Sequence, residues 1–565
     1  MTVLQILDIK ANRGEFLMSE SVPPIRDWIE RIAADLEDIK AFFRLTISPQ
    51  RTHRLRNYLT SELDSLNSRP LWEAIHDIHL PVHQAEDNVD YLLLRNYLKR
   101  QLRELDLGVK QDEKAAPLLP FASPLLELVE ARALIQPMVA PIAAQKLFDT
   151  NIQITELIEK IRDGSDEVQM EKTSAFRAAR TIDMLREELK EWFAFYNGYD
   201  HAFDWWVSHP FGVINKSLED IASIIREQLV HIQPGDEDAI VGQPIGREGL
   251  LAELEAEMIP YSPEEIISIG EKEFEWCVNE MKKASESMGY GDDWRLALEQ
   301  VKNEFVEPGK QTQLVRDHFS EAVKFVEQHD LVTVPPVAKQ NWQMFMMSPE
   351  RQKFNPFFLG GDSIIVSYPT QTMDHGAKLM SMRGNNYHFS RATVFHEMIP
   401  GHHLQLHMNA RHRPYRRLFD TPFSIEGWAL YWEFLLWDDN RFEKTPENRI
   451  GMLFWRLHRC ARIIFSVSFH LGKMTPSECI NLLVNGVGHE RATAEAEVRR
   501  SLNGDYSPLY QAGYMLVLDT QRLTEKEFHD AFLQKNCVPI ELVRANFLDI
   551  PLSKDYKASW RFYPL

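Results

Sequence analysis

Residues 395–405 read Phe-His-Glu-Met-Ile-Pro-Gly-His-His-Leu-Gln, and this stretch restricts the chain more than any other. Its pattern asks for a helix, and its proline forbids a straight one. A His-Glu pair followed within two turns by more histidines offers imidazole ligands for zinc and a carboxylate that can activate water. In the usual helical arrangement, H-E-x-x-H, the two histidines stand four residues apart and face one ion. Here the position four residues after His396 is Pro400. On a regular helix His402 would point away from His396, and His403 would share its azimuth but lie about 10 Å further along the axis. That distance is too great for Zn–N bonds of about 2.0 to 2.1 Å.

Pro400 lacks the N–H that would bond the carbonyl of His396, and Gly401 tolerates conformations that other residues avoid. The pair predicts a bulge or break that swings a histidine back toward the metal. His402 is preferred, because two looped-out residues restore the ordinary ligand relation, whereas His403 needs three. The competing reading is a chance His-Glu in a chain of 20 histidines, with Pro-Gly simply ending a helix.

A third protein ligand is needed, with a fourth position left open. In the helical-looking run 423–433, Glu426 follows His396 by 30 residues, enough for a loop and a return helix. A glutamate at a helix start is also stabilised by the helix dipole alone. Glu433, seven residues on along the same face, is a rival, and the residues by themselves leave both open. Glu397 is the natural general base, taking a proton from the activated water and passing it to the leaving amine. His470, Tyr510 and Tyr514 are candidate donors to the developing oxyanion, with packed core residues as the alternative.

The rest of the chain sets the context. Its 565 residues, 44% hydrophobic and 26% charged, suit a large globular core. A net charge of −20 argues against nucleic-acid and anionic-membrane partners, leaving small or basic substrates. No apolar run reads as a signal peptide or a membrane span, so a soluble cytoplasmic protein is expected. Cys277, Cys460, Cys479 and Cys537 lack metal-type spacing and read as buried thiols, which leaves zinc binding to histidine and carboxylate.

Helical periodicity over residues 25–36, 90–105, 181–196 and 263–288 predicts a mainly α fold. Ser262-Pro263-Glu264-Glu265 and Thr475-Pro476-Ser477-Glu478 are helix starts, each a cap followed by proline and acid. Joints rich in Pro, Gly or charge fall at 107–122, 231–246 and 332–337. The clearest strand is 362–368, just upstream of the His-Glu segment. Its free edge could hold an extended peptide by strand addition, which makes Ser367 and Tyr368 substrate-binding candidates, with a small structural hairpin as the alternative.

Together these motifs resemble the family known as domain of unknown function 885, helical zincin-like proteins related to the glutamate-zincin peptidases. The resemblance rests on His396-Glu397, Pro400-Gly401-His402-His403 and Gln405, then Glu426-Gly427-Trp428-Ala429-Leu430-Tyr431. It extends to Tyr261-Ser262-Pro263, Leu331 to Pro336, Arg459 to Arg462 with His470, Tyr510 with Gly513, and Phe528-His529-Asp530, over roughly residues 80–550. It implies a large helical zincin-like fold with a deep central cleft and a small β-sheet beside the metal-binding helix. Residues 1–80 would be a helical extension and 81–565 a single catalytic unit of two helical halves. It also implies one zinc ion on His396, His402 and Glu426, Glu397 as base, and His470 and Tyr510 facing the cleft. The chain departs from the family at Ser466, usually Asp, at Asp505-Tyr506-Ser507-Pro508-Leu509, usually Pro-Gly-Gln-Ala, and at Gln521, usually Arg. These changes lie on the substrate side. The function expected is a zinc metallopeptidase or amidohydrolase acting on short peptides. The alternatives are a non-catalytic descendant that binds a peptide or metabolite, and an amide hydrolase of specialised metabolism.

Overall fold

The computed structural model describes residues 24–69, 82–233, 236, 239–352, 357, 360–361, 363–502 and 524–563. Helices dominate them, as the periodicity requires. The described chain opens with α1 (Ile25–Phe42) and α2 (Pro49–Ser68), the latter capped by the Ser48 hydroxyl and carrying proline in its first turn. Both pack on α3 (Val82–Ala115), which runs through much of the joint expected at 107–122. The charges at 110–114 sit on a helix, and the chain turns only in the short 3-10 segment Ala116–Leu118. One glycine, Gly108, costs a helix only about 1 kcal/mol, which tertiary packing over the rest of α3 overrides.

Helices α4 (Ala122–Ala133), α5 (Ala140–Arg162), α6 (Lys172–Tyr196) and α7 (His201–Ile224) surround a core that includes Leu147, Leu189, Trp192 and Phe203. Next come α8 (Pro263–Ser287) and α9 (Gln311–Gln328). The Ser262–Glu265 capping box starts α8, and Thr475–Glu478 forms another ahead of Pro476–Asn481.

Two short strands follow, β1 (Gln343–Met346) and β2 (Ser363–Val366), paired in parallel with Gln343 opposite Ser363 and Met346 opposite Val366. Of the strand expected at 362–368, residues 363–366 pair, and Asp362 lies outside the described residues. Parallel pairing rules out a hairpin, since the connection must cross back over the sheet. Nothing in Gln-Met-Phe-Met announces β1: it has no β-branched residue, and most of it is exposed. On β2, Ile364 and Val366 are buried in the same core as Val394 and Leu404.

The remaining helices include α10 (Tyr387–Glu397), α11 (His402–Asn409), α12 (Pro422–Asp438) and α13 (Pro446–His470), which build the site, and α14 (Arg491–Leu502). Helix α13 is buried along most of its length and packs against both α8 and α10. One core joins α1–α3 to β2, α10, α11 and α12 through residues such as Ile29, Leu94, Ile364, Val394 and Trp432. An ion network reinforces the junction: Arg416 is buried with Glu86 and Asp90 of α3, each at 2.6 Å. The four cysteines are buried and free, as their spacing suggested. No helix among the described residues is long and apolar enough to cross a membrane.

One buried acid in this framework is poorly matched. Neither oxygen of Glu257 has a well-aligned hydrogen bond, and the guanidinium of Arg100 stays 3.7 Å away. Burial pushes the carboxyl up to about 8. An acid that holds its proton more tightly when folded loses stability as pH rises from its unfolded value through its folded one. For Glu257 that window runs from 4.5 to about 8. Glu257→Gln is therefore expected to match the parent near pH 5 and to exceed its unfolding free energy by several kcal/mol at pH 9, read by denaturant titration at both values.

Candidate metal centre

Helix α10 stops at Glu397 and α11 starts at His402, so the break foreseen from Pro400-Gly401 is present. The Met398 N–H still reaches the Val394 carbonyl at 2.9 Å, and the Leu404 N–H returns to the Met398 carbonyl at 3.2 Å. Between them the Ile399–Pro400 peptide bond is cis. The turn is so tight that a Cβ on Gly401 would overlap the His396 carbonyl and come 2.6 Å from that of Phe395. The indole N–H of Trp428, on α12, donates to the Pro400 carbonyl at 2.8 Å and closes the turn from the other side. His396 and His402 thereby meet with ring centroids 4.7 Å apart and planes perpendicular.

Helix α12 brings the third group. It starts from Thr421, whose hydroxyl accepts from the Ser424 N–H, with Pro422 in the first turn. Gln405 of α11 donates to the Ser424 carbonyl at 3.0 Å, which fixes the depth of that first turn. Glu426 then lies with Oε2 3.5 Å from His396 Nε2 and Oε1 3.4 Å from His402 Nε2. The three potential ligand atoms all lie within 4.8 Å of one another, and all three residues are buried. Neighbouring ligands on a tetrahedral zinc with bonds of about 2.1 Å stand about 3.4 Å apart. Two imidazoles and a carboxylate gathered within 4.8 Å of one another are a donor set that fits such an ion.

The surroundings orient these groups. The other ring nitrogen of His396, Nδ1, lies 2.8 Å from Glu433 Oε1, which leaves Nε2 directed at the cluster. Arg459, on α13, lies 3.3 Å from the same Glu433 oxygen. Gln405 Oε1 lies 3.5 Å from His402 Nδ1. Burial and Arg459 both press the His396 imidazole toward neutrality, but Glu426 and Glu433 outweigh them and raise it to about 9. Burial likewise opposes ionisation of Glu426, and the two histidines overcome it, holding the carboxyl well below the usual range. Burial works against Arg459 too, and Glu433, Glu426 and Glu397 together outweigh it. Glu433, a rival to Glu426 in the sequence, here lies against the other ring nitrogen of His396. Its position two turns beyond Glu426 on one helix face was the available signal.

The carboxylate of Glu397 accepts from the Gly360 N–H at 2.7 Å. A Cβ at position 360 would come 2.5 Å from Glu397 Oε2, so this approach requires glycine. His403 faces elsewhere, its ring nitrogens each 2.9 Å from a carbonyl oxygen, of Gly361 and of Ala338. Residues 360 and 361, which lead into β2, are thus tied to both histidine-bearing helices. Further along, Ser367 is buried and donates to Gln352 Oε1 at 3.1 Å, and the Tyr368 N–H binds the same oxygen. Neither side chain is brought into contact with the His-His-Glu group. His470 ends α13, eleven residues beyond Arg459, or about 16 Å along the axis. Its Nδ1 lies 3.4 Å from the Ile245 N–H, and burial lowers the ring to about 4. Tyr510 and Tyr514 lie outside the described residues.

Comparison with known proteins places this geometry in a family. The chain belongs to the family described as bacterial protein of unknown function (DUF885), whose pattern matches residues 46–547. No curated protein matches it. Two solved structures share its fold. One, from Shewanella oneidensis, is described as a putative lipoprotein of unknown function; its TM-score is 0.65 at 16% identity, with 93% of this chain and 99% of that one covered. The other, a putative lipoprotein from Colwellia psychrerythraea, has a TM-score of 0.54 at 15% identity, with coverage of 93% and 98%.

Gly401→Ala is expected to cost about 3 kcal/mol of stability and to reduce zinc uptake, because the added methyl must push α10 and α11 apart. The control is Gly108→Ala, where a Cβ meets nothing within 4 Å in a helix and stability should hold or rise. Thermal melts and zinc titration of both variants check this.

Proposed function

We propose that the protein is a zinc-dependent hydrolase of peptide or amide bonds in short peptides, with a zincin-like active site. The observation that carries this reading is the convergence of one potential ligand atom each from His396, His402 and Glu426 within 4.8 Å of one another, with Glu397 adjacent in sequence to the first of them. When bound, zinc polarises a carbonyl and makes water acidic enough to attack near neutral pH.

The protein's own groups supply the rest. His396 and His402 would hold the ion through their Nε2 atoms, and Glu433, steadied by Arg459, orients His396 from its other ring nitrogen. Glu397 takes the proton from the attacking water and delivers it to the leaving nitrogen. The Gly360 N–H at one of its oxygens fixes the carboxylate and leaves the other for this transfer. A short peptide would lie extended along β2, whose far edge has no strand partner among the described residues.

Metal analysis is expected to find about one zinc per chain. Glu397→Gln should keep that zinc and lose at least about 100-fold in turnover of a short-peptide library. A protein without zinc, with parent and variant equally inert, would falsify the reading. Peptide binding without turnover by the zinc-loaded parent would favour a non-catalytic descendant. Glu433→Gln tests the supporting role: the ligands stay, and zinc affinity should drop about 10- to 100-fold in a chelator competition.

A further inference from the structure

A cavity of about 460 Å³ opens between the end of α1, the start of α2, α4 and α6, and shares no lining residue with the metal centre. That volume is in the range of small-ligand pockets. Phe43, Leu45, Leu126 and Val129 give it an apolar wall. Two charged residues of α4, Glu130 and Arg132, face the same space.

Their partners set them apart from the other charges there. Arg44 is matched, with Glu188 at 3.0 Å and Glu191 at 2.6 Å. Glu130 is 92% removed from solvent and receives only the Ser48 hydroxyl, on Oε1. Arg132 lies over the Phe195 ring at 5.4 Å, and its buried Nε–H has no acceptor. Among the described residues neither charge makes an ion pair within 4.0 Å, the two do not pair with each other, and Arg132 feels Glu188, already matched by Arg44, only at longer range. A buried carboxylate without a counter-ion is costly, and a guanidinium resting on an aromatic face keeps its N–H edge for a planar anion.

We propose that this cavity binds a small zwitterion of the α-amino-acid class, carboxylate on Arg132, ammonium on Glu130 and an apolar side chain against Leu126 and Val129. The two opposite charges, two residues apart on one helix and both lining one cavity, are the complement of a molecule that carries both signs a few bonds apart. A ligand with one charge would satisfy one of them and leave the other bare.

The test is calorimetric titration of the whole protein with L-leucine, L-leucinamide and N-acetyl-L-leucine, in the presence of EDTA so that the metal centre does not contribute. L-leucine is expected to bind, and the two half-charged probes to bind at least tenfold more weakly. Arg132→Met and Glu130→Gln should each weaken L-leucine at least tenfold, and Ala133→Trp, which fills the cavity, should abolish the signal with the melting profile retained. Absence of L-leucine binding at millimolar concentration, equal binding of the three probes, or unchanged affinity in Arg132→Met and Glu130→Gln would each overturn the proposal. The comparison of probes on the parent protein needs no variant and decides the matter even if one misfolds.

Discussion

The site depends on one close approach, that of Gly401 to the carbonyl of His396. If the chain could not fold back this tightly after Pro400, α10 and α11 could not bring their histidines to face one another. With glycine there, the two helices are joined by a turn only a few residues long. Trp428 then caps that turn, and because Trp428 belongs to α12 its bond to Pro400 also sets where Glu426 stands. Gln405 does the same from α11 through the Ser424 carbonyl. Two side-chain hydrogen bonds to backbone thus align three helices that come from different parts of the motif.

Behind His396 and Glu426 the chain is deeply packed. Arg459 reaches Glu433 from α13, a helix buried along most of its length, so the group that steadies His396 is itself anchored in a core. On the opposite side the chain entering β2 touches both histidine-bearing helices, through Gly360 to Glu397 and Gly361 to His403. A sheet of two short strands would be marginal alone. Here its inward residues share a core with α10 and α11, which makes it a fixed wall beside the site.

Much of this was legible in the sequence because the signals were local. The break at Pro400-Gly401, the swing of His402 rather than His403 back toward His396, the helix starts at Ser262 and Thr475, and the buried thiols each follow from a few adjacent residues. The choice between Glu426 and Glu433 was not local, since it turns on which of them faces Nε2 and which Nδ1 of a histidine about thirty residues earlier. Gly360 supports Glu397 across 37 residues, and nothing in Gly360-Gly361 says what it will touch. Strand β1 is not legible because its residues lack β character, and most of the joint expected at 107–122 is helix because solvated helix faces and loops share a composition.

The Arg459 contact has a consequence for what the centre can hold. Glu397, Glu426 and Glu433 all act on this one guanidinium. With both imidazoles neutral, three carboxylates against one guanidinium leave a formal excess of two negative charges in a largely buried volume. A proton on His396, whose value is raised, can offset part of it. A dication offsets all of it, whereas a monovalent ion would leave a bare charge in a low-dielectric interior. Electroneutrality, as much as ligand geometry, thus favours an ion of charge two, and exchange of such an ion for protons would make its uptake steeply dependent on pH.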